Sequence, residues 1–201
     1  MRWLDVFGPP GVGKSTICDH FWHPHAIAWQ SAPPYPEEWK EFLDECGSLL
    51  GKVREHPTFS ACQGMVKRSL NKMSAVQARN DDSIYIQTGF AQRGLGFGWR
   101  LKNQEEIRTY YELMPVSLGV VSLWAPTGLV EERNRGREAQ GENREHMVSL
   151  MERPREIALE VLRKRGVPLV ELDTRIPPRE LRKRVLDFRD ECIRTVPSDA
   201  A

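Results

Sequence analysis

Nine residues constrain this chain more than any others: "GPPGVGKST", from Gly8 to Thr16. The residues before them, Trp3, Leu4, Val6 and Phe7, are apolar and few enough for a short buried strand. Thr16, Ile17, Cys18 and Phe21 after them have the spacing of an opening helix. A strand that enters a helix through Gly8, Gly11 and Gly13 can turn sharply and bring its backbone close to a ligand. The amides of that turn and of the helix N-terminus then converge on one point, an arrangement that attracts phosphate. Gly8 to Ser15 fit G-x-x-x-x-G-K-[ST] at every fixed position. Lys14 is placed to reach β- and γ-phosphates, and the Ser15 hydroxyl to ligate Mg²⁺. Pro9 and Pro10 stiffen the loop by fixing φ, and Val12 and Thr16 complete the set expected around the phosphates. A glycine-rich turn with a chance Lys-Ser would need neither the strand before it nor the helix after it.

The 201 residues suffice for one domain, 1–201, with a sizeable core. Lys and Arg number 29 against 28 Asp and Glu, so bulk charge does not select a polyanionic partner. Cys18, Cys46, Cys62 and Cys192 lie far apart with no C-x-x-C, which argues against a zinc site or a disulfide framework and for a reducing compartment. His20, His23 and His25 around Pro24 match no metal-ligand spacing. No apolar run approaches a membrane span, and the N-terminus leaves no room for a signal peptide. The expectation is a soluble cytoplasmic protein, without membrane contact and of undetermined oligomeric state.

Strands and helices alternate along the rest. "HAIAWQS" (25–31) is a candidate second strand and "SAPPYP" a turn-rich connection. Trp39, Phe42, Leu43, Cys46, Leu49, Leu50 and Val53 recur at helical spacing, as do Phe59, Cys62, Met65, Val66, Leu70 and Met73. "SIYIQ" (83–87) predicts a strand, followed by the glycine-dense "TGFAQRGLGFGWR". Asn103 with Glu106 resembles a capping box for the next helix. "SLGVVSLWA" and "VPLVELD" predict strands. The helix between them is interrupted or restarted by Pro154 and stopped by Gly166, and "PPRELRKRVLDF" opens a last helix whose cations form a solvated face. This alternation implies a parallel sheet with helices on both faces and ligands at the carboxyl ends of its strands.

The loop at the start of such an element order resembles the P-loop nucleoside and nucleotide kinases, in particular the thymidylate-kinase-like group. Only the loop is a specific motif; the remainder of the likeness is element order and a few arginines. The resemblance implies an α/β P-loop kinase fold with a five-stranded parallel sheet, ATP as donor, Mg²⁺ as cofactor, and an acceptor site under an arginine-bearing lid. The lid would be roughly 126–146, with "VEERNRGREAQGENREH" carrying Arg133, Arg135, Arg137 and Arg144. Arg133 and Arg137, four apart and so on one helical face, are the candidates to stabilise a phosphoryl group in transfer. The interleaved Glu131, Glu132, Glu138, Glu142 and Glu145 leave a solvated charged face as the alternative.

"GFAQRGLGFGWRLK" stands where this family binds its acceptor. Phe90, Phe97 and Trp99 could stack on a base, and Arg93 and Arg100 could hold phosphate; the alternative is a loop whose aromatics pack on the core. The chain departs from the family at the end of the third strand, where an acidic residue is usual and Gln87-Thr88 stands here. Asp5, Glu131, Glu132 and Asp173 are possible substitutes, with nothing in the sequence to choose among them.

Three functional readings follow. One is a kinase of free (deoxy)nucleoside monophosphates. Another is a kinase of a base hydroxyl in DNA. A bacteriophage branch of the thymidylate-kinase-like group phosphorylates 5-hydroxymethyl-deoxyuridine in DNA on the way to hypermodified thymidines, and this chain is similar to it in length, in its N-terminal loop and in its altered third-strand end. Lys67, Arg68, Lys72, Arg93, Arg100, Lys102 and the lid arginines would suit a phosphate backbone, and a duplex base would have to be flipped out. The third is a regulatory module that binds nucleotide without transfer, which the missing carboxylate favours. The DNA-level kinase is the reading preferred from the sequence.

Overall fold

The computed structural model describes residues 3–21, 34–78, 84–101, 103–135 and 144–195. Its centre is β1 (Trp3–Phe7), buried along its whole length, as a strand must be when both sheet faces are covered. Among the described residues the sheet has four parallel strands in the order β2 (Tyr85–Gln87), β1, β3 (Gly119–Trp124), β4 (Leu169–Asp173). The expectation of five strands is corrected to that extent; the extra strand expected at 25–31 lies outside the described residues. In register, Asp5 stands beside Gln87 on one side and Val120 on the other.

Alternation along β1 divides the core. Trp3 and Phe7 point to a cluster built with α2 (Lys40–Lys52), α3 (Phe59–Gln77), α5 (Gln104–Leu113) and α7 (Arg144–Lys164). Leu4 and Val6 point to the opposite cluster, with α1 (Lys14–Phe21) and α8 (Pro178–Thr195). Helices on both faces are therefore observed. The first cluster is aromatic: Trp3, Trp39, Phe90 and Phe42 form a run of edge-on contacts, with Trp39 to Phe90 at 5.3 Å and Phe42 to Phe90 at 4.9 Å, and Tyr110 packs tilted against Phe42 at 5.2 Å. Such pairs contribute about 0.5–1.5 kcal/mol each beyond the area they bury.

The glycine-dense segment differs most from expectation. It is a helix, α4 (Phe90–Gly98), although three of its nine residues are glycine. Two of these glycines, Gly94 and Gly98, are contact surfaces. A Cβ on Gly94 would lie 2.4 Å from the Tyr111 ring, and one on Gly98 2.4 Å from Pro154. The helix pushes that close to α5 and α7, and the packing outweighs the poor helix propensity of glycine. For the same reason Pro154 does not break α7, which runs unbroken through it. The capping expectation at α5 is half met: Asn103 accepts the Glu105 N–H at 3.1 Å, but Glu106 pairs with Lys52 at 2.8 Å. The stretch expected to be lid begins as a helix, α6 (Thr127–Asn134); 136–143, with Arg137, lies outside the described residues, as do Lys102, His23 and His25. No helix among the described residues is long and apolar enough to cross a membrane.

Candidate active site

The phosphate loop follows β1 and enters α1 at Lys14, as its sequence requires. Gly11 has φ +76°, and a Cβ there would meet the Asn134 side chain at 2.6 Å. Glycine is thus needed for conformation and for space. Asn134, 3 % exposed at the end of α6, fills that space and donates Nδ2–H to Pro10 O at 2.9 Å. Gly8 N–H donates to Gln92 Oε1 at 3.0 Å. Lys14 folds back on its own loop, its ammonium donating to Gly8 O at 2.6 Å and Pro9 O at 2.7 Å. Burial lowers the Lys14 pKa to about 7, and the nearby Arg93 guanidinium adds to the effect.

A cleft of about 1020 Å³ opens over this loop, large enough for a nucleotide and a second ligand. Pro10 to Thr16 form one wall, Thr88, Gln92, Arg93, Gly96, Trp99 and Arg100 another, and Thr174 to Pro178 with Arg133 a third. These segments follow the carboxyl ends of β1, β2 and β4, where the fold places ligands. The walls carry Lys14, Arg93, Arg100, Arg133 and Arg175 and, among the described residues, no carboxylate. A site of that charge suits a polyanion.

The acceptor-side candidates separate. Arg93, Trp99 and Arg100 reach the cleft. Arg93 is half-buried, and its Nε is buried without a hydrogen-bond partner. Arg100 lies over the Trp99 ring at 4.1 Å and donates from Nε to Thr58 Oγ1 at 2.7 Å and from Nη1 to Gly96 O at 2.5 Å. Phe97 is corrected: it is 0 % exposed and packs 5.7 Å from Tyr110, so its ring has no face for a base. Phe90 is likewise core. Arg133 lines the cleft and rests on Thr174, donating to its Oγ1 at 3.1 Å and its carbonyl at 3.2 Å.

None of the four possible substitutes for a third-strand carboxylate lines the cleft. Asp173 is held by Arg175. Asp5 is buried and takes the N–H groups of Gly89, which caps α4, and of Ala91 in its first turn. Glu131 and Glu132 are on the outer part of α6. For Mg²⁺, the exposed Ser15 hydroxyl in the cleft is a fitting ligand; with no carboxylate on the walls among the described residues, phosphate oxygens and water would complete the set, as this ion accepts.

Gln92, Asn134 and Thr174 were missed by sequence reasoning. Nothing in their residue type marks a loop-holding role, although each adjoins a residue that had drawn notice: Gln92 beside Arg93, Asn134 beside Arg133 and Thr174 beside Asp173.

No protein-family model matches the chain, and no curated protein matches it by sequence. Solved structures do. Deoxyadenosine kinase from M. mycoides with bound dATP aligns with a TM-score of 0.55 and 15% identity, over 93% of this chain and 98% of that one. The same enzyme with its products dCMP and a flexible dCDP gives 0.56 and 14%, over 94% and 99%. With bound dCTP it gives 0.51 and 14%, again over 94% and 99%. The chain therefore shares the fold of these structures over nearly its whole length.

Proposed function

We propose that the protein is a P-loop phosphotransferase that moves the γ-phosphoryl group of ATP, with Mg²⁺, to a nucleotide-type acceptor. The observation that carries this reading is the cleft: a complete phosphate loop faces Arg93, Trp99 and Arg100 across a volume with room for two ligands and, among the described residues, no carboxylate on its walls. Phosphoryl transfer needs positioning and charge stabilisation more than a strong base, so a cation-lined cleft suits it. The neighbours' bound dATP, dCTP and dCMP support an acceptor of the nucleotide class.

The specific acceptor we propose is the hydroxymethyl group of 5-hydroxymethyl-deoxyuridine in phage DNA. Charge segregation supports it. The nineteen residues of α3 contain Lys67, Arg68 and Lys72 and no Asp or Glu; Lys67 and Arg68 are exposed, and Met65 of the same helix reaches the cleft. A basic, acid-free helix beside the site suits a nucleic-acid backbone whose base enters the cleft. On that reading the protein works in the cytoplasm of the infected cell. The second reading, a deoxynucleoside monophosphate kinase, is favoured by Arg93, whose buried, unpartnered Nε would suit an acceptor phosphate.

Transfer from labelled ATP to deoxynucleoside monophosphates, plain DNA and DNA containing 5-hydroxymethyluracil separates these readings. Label on the hydroxymethylated DNA alone supports the first acceptor. Label on free monophosphates alone replaces it with the second. ATP binding with no transfer to any member overturns the phosphotransferase reading in favour of a regulatory module.

A further inference from the structure

Asp5, in the central strand, is 1 % exposed. Each of its oxygens accepts a backbone N–H at 2.8 Å, Oδ1 from Gly89 and Oδ2 from Ala91, at the start of α4. A Cβ on Gly89 would sit 2.8 Å from Oδ2, so glycine lets the helix descend onto the carboxylate. The carbonyls of the same turn are held by α5: Tyr110 Oη donates to Phe90 O and Tyr111 Oη to Ala91 O, both at 2.9 Å. Beyond this turn, α4 and the residues after it carry Gln92, which holds Gly8, and then Arg93 and Arg100 on the cleft wall.

We propose that Asp5 is a positioning residue, whose carboxylate clamps the first turn of α4 to the central strand and so sets the acceptor wall of the cleft against the phosphate loop. The inference rests on the phosphotransferase reading above. Asp5 does not line the cleft, so it acts through α4 and is not the proton acceptor. The groups facing it are Lys72 from α3, Arg93 from α4, and Tyr110 and Tyr111 from α5. Burial raises the Asp5 pKa to about 6 against the opposing pull of the two N–H groups, Arg93 and Lys72. Burial also lowers Lys72, to about 8, and Arg93. Between those values Asp5 is ionised between two cations. Protonation puts an O–H against an N–H and releases the clamp, so acceptor use weakens as pH falls through about 6.

The test compares wild type, Asp5→Asn and Gly89→Ala between pH 5 and 8, measuring KM for the acceptor found by the transfer panel. Titration of the substrates is common to all three proteins and cancels in ratios. The Asp5→Asn to wild-type ratio of acceptor KM should be about tenfold at pH 7.5, since a carboxamide can accept only one of the two N–H groups, and should fall toward one at pH 5. Gly89→Ala should raise KM while keeping the acid limb of wild type, because its carboxylate remains. A ratio near one throughout, a ratio independent of pH, or a silent Gly89→Ala overturns the proposal. Hydrogen exchange of the Gly89 and Ala91 amides in the wild-type protein decides the clamp without catalysis or a folded variant. Protection of both should drop, relative to the strands of the sheet, between pH 7.5 and 5; unchanged protection overturns it. A wild type that transfers to no acceptor would refute the phosphotransferase reading, and the exchange result would still stand for or against the clamp.

Discussion

Gly8 N–H donates to Gln92 Oε1 across 84 positions of sequence, so the first residue of the phosphate loop is held by the helix that forms the opposite wall. Loop and wall are one mechanical unit. Gln92→Ala leaves the Gly8 N–H without its partner, at a cost of about 1–3 kcal/mol, and should raise KM for ATP with little change in melting of the remote helices. Gln92→Glu retains an acceptor but puts a carboxylate into a wall that has none among the described residues. Its ATP affinity should be the lower of the two. Steady-state kinetics of the pair checks this, and equal KM values would mean that the contact is incidental.

Lys14 illustrates how the loop waits for its ligand. Its ammonium is held by the Gly8 and Pro9 carbonyls, and burial holds its pKa near 7. A bound triphosphate stabilises the charged form and raises that pKa. Above pH 7, ATP binding should therefore take up a proton, and affinity should fall as pH rises; below pH 7 the uptake disappears. Calorimetry in buffers of different ionisation enthalpy measures it directly. Lys14→Ala should abolish transfer and the proton uptake together, with an unchanged circular dichroism spectrum. Wild-type turnover in that variant would refute the loop assignment.

The packing of α4 gives a prediction about stability alone. In Gly94→Ala the new methyl meets the Tyr111 ring at 2.4 Å, against only 3.7 Å to the end of the flexible Arg100 side chain in Gly96→Ala. Overpacking costs about 1–3 kcal/mol, while Ala in place of Gly gains about 0.8–1 kcal/mol in a helix. Gly94→Ala should be destabilised on balance and Gly96→Ala stabilised. Urea unfolding of both checks the sign.

These cases show why some of the molecule was legible in its sequence and some was not. The phosphate loop was, because its chemistry demands particular residue types at fixed spacing over a short distance. The strands β1 and β3 were, because a strand buried on both faces is mostly apolar; β4, half-exposed at the sheet edge, was legible as the short apolar run before Asp173. α4 was not. Glycines that read as loop punctuation are there because Tyr111 and Pro154 leave no room for a side chain, and that fact belongs to distant residues. Phe97 misled for the same reason: an aromatic beside arginines looks like a stacking platform until the helix turns it inward. Asp5 was noticed as a carboxylate, but its pairing with two amides 84 and 86 positions away could not be read from either stretch.

Arg133 sits on the cleft wall against Thr174, and we expect it to act on the transferring group together with Arg137. Arg133→Ala should lower kcat by at least about tenfold, with a smaller change in ATP affinity. Arg133→Lys should not restore it, since an ammonium lacks the planar fork that spans both Thr174 oxygens. Unchanged kcat in the double variant Arg133→Ala/Arg137→Ala would reduce this segment to a charged surface.

The last prediction concerns the acceptor. An alcohol on a base is neutral, so in a DNA substrate the charge that the protein grips must be the backbone. Lys67 and Arg68 stand exposed on an acid-free helix whose Met65 reaches the cleft. Affinity for hydroxymethylated DNA should therefore fall linearly on a log–log plot against salt. Each lost phosphate contact should flatten the slope by about 0.9 for duplex and about 0.7 for single strands. Lys67→Gln and Arg68→Gln should each flatten it by one such step and weaken DNA use at low salt, while ATP binding stays as in wild type, because neither residue touches the phosphate loop. A free monophosphate offers only one phosphate group, so its KM would respond weakly to salt and not at all to these two changes. Fluorescence anisotropy with labelled DNA across a salt series, run beside ATP binding on the same variants, measures both slopes. An unaltered slope in the double variant would remove α3 from the acceptor's path and leave Arg93 and the free monophosphate as the stronger reading.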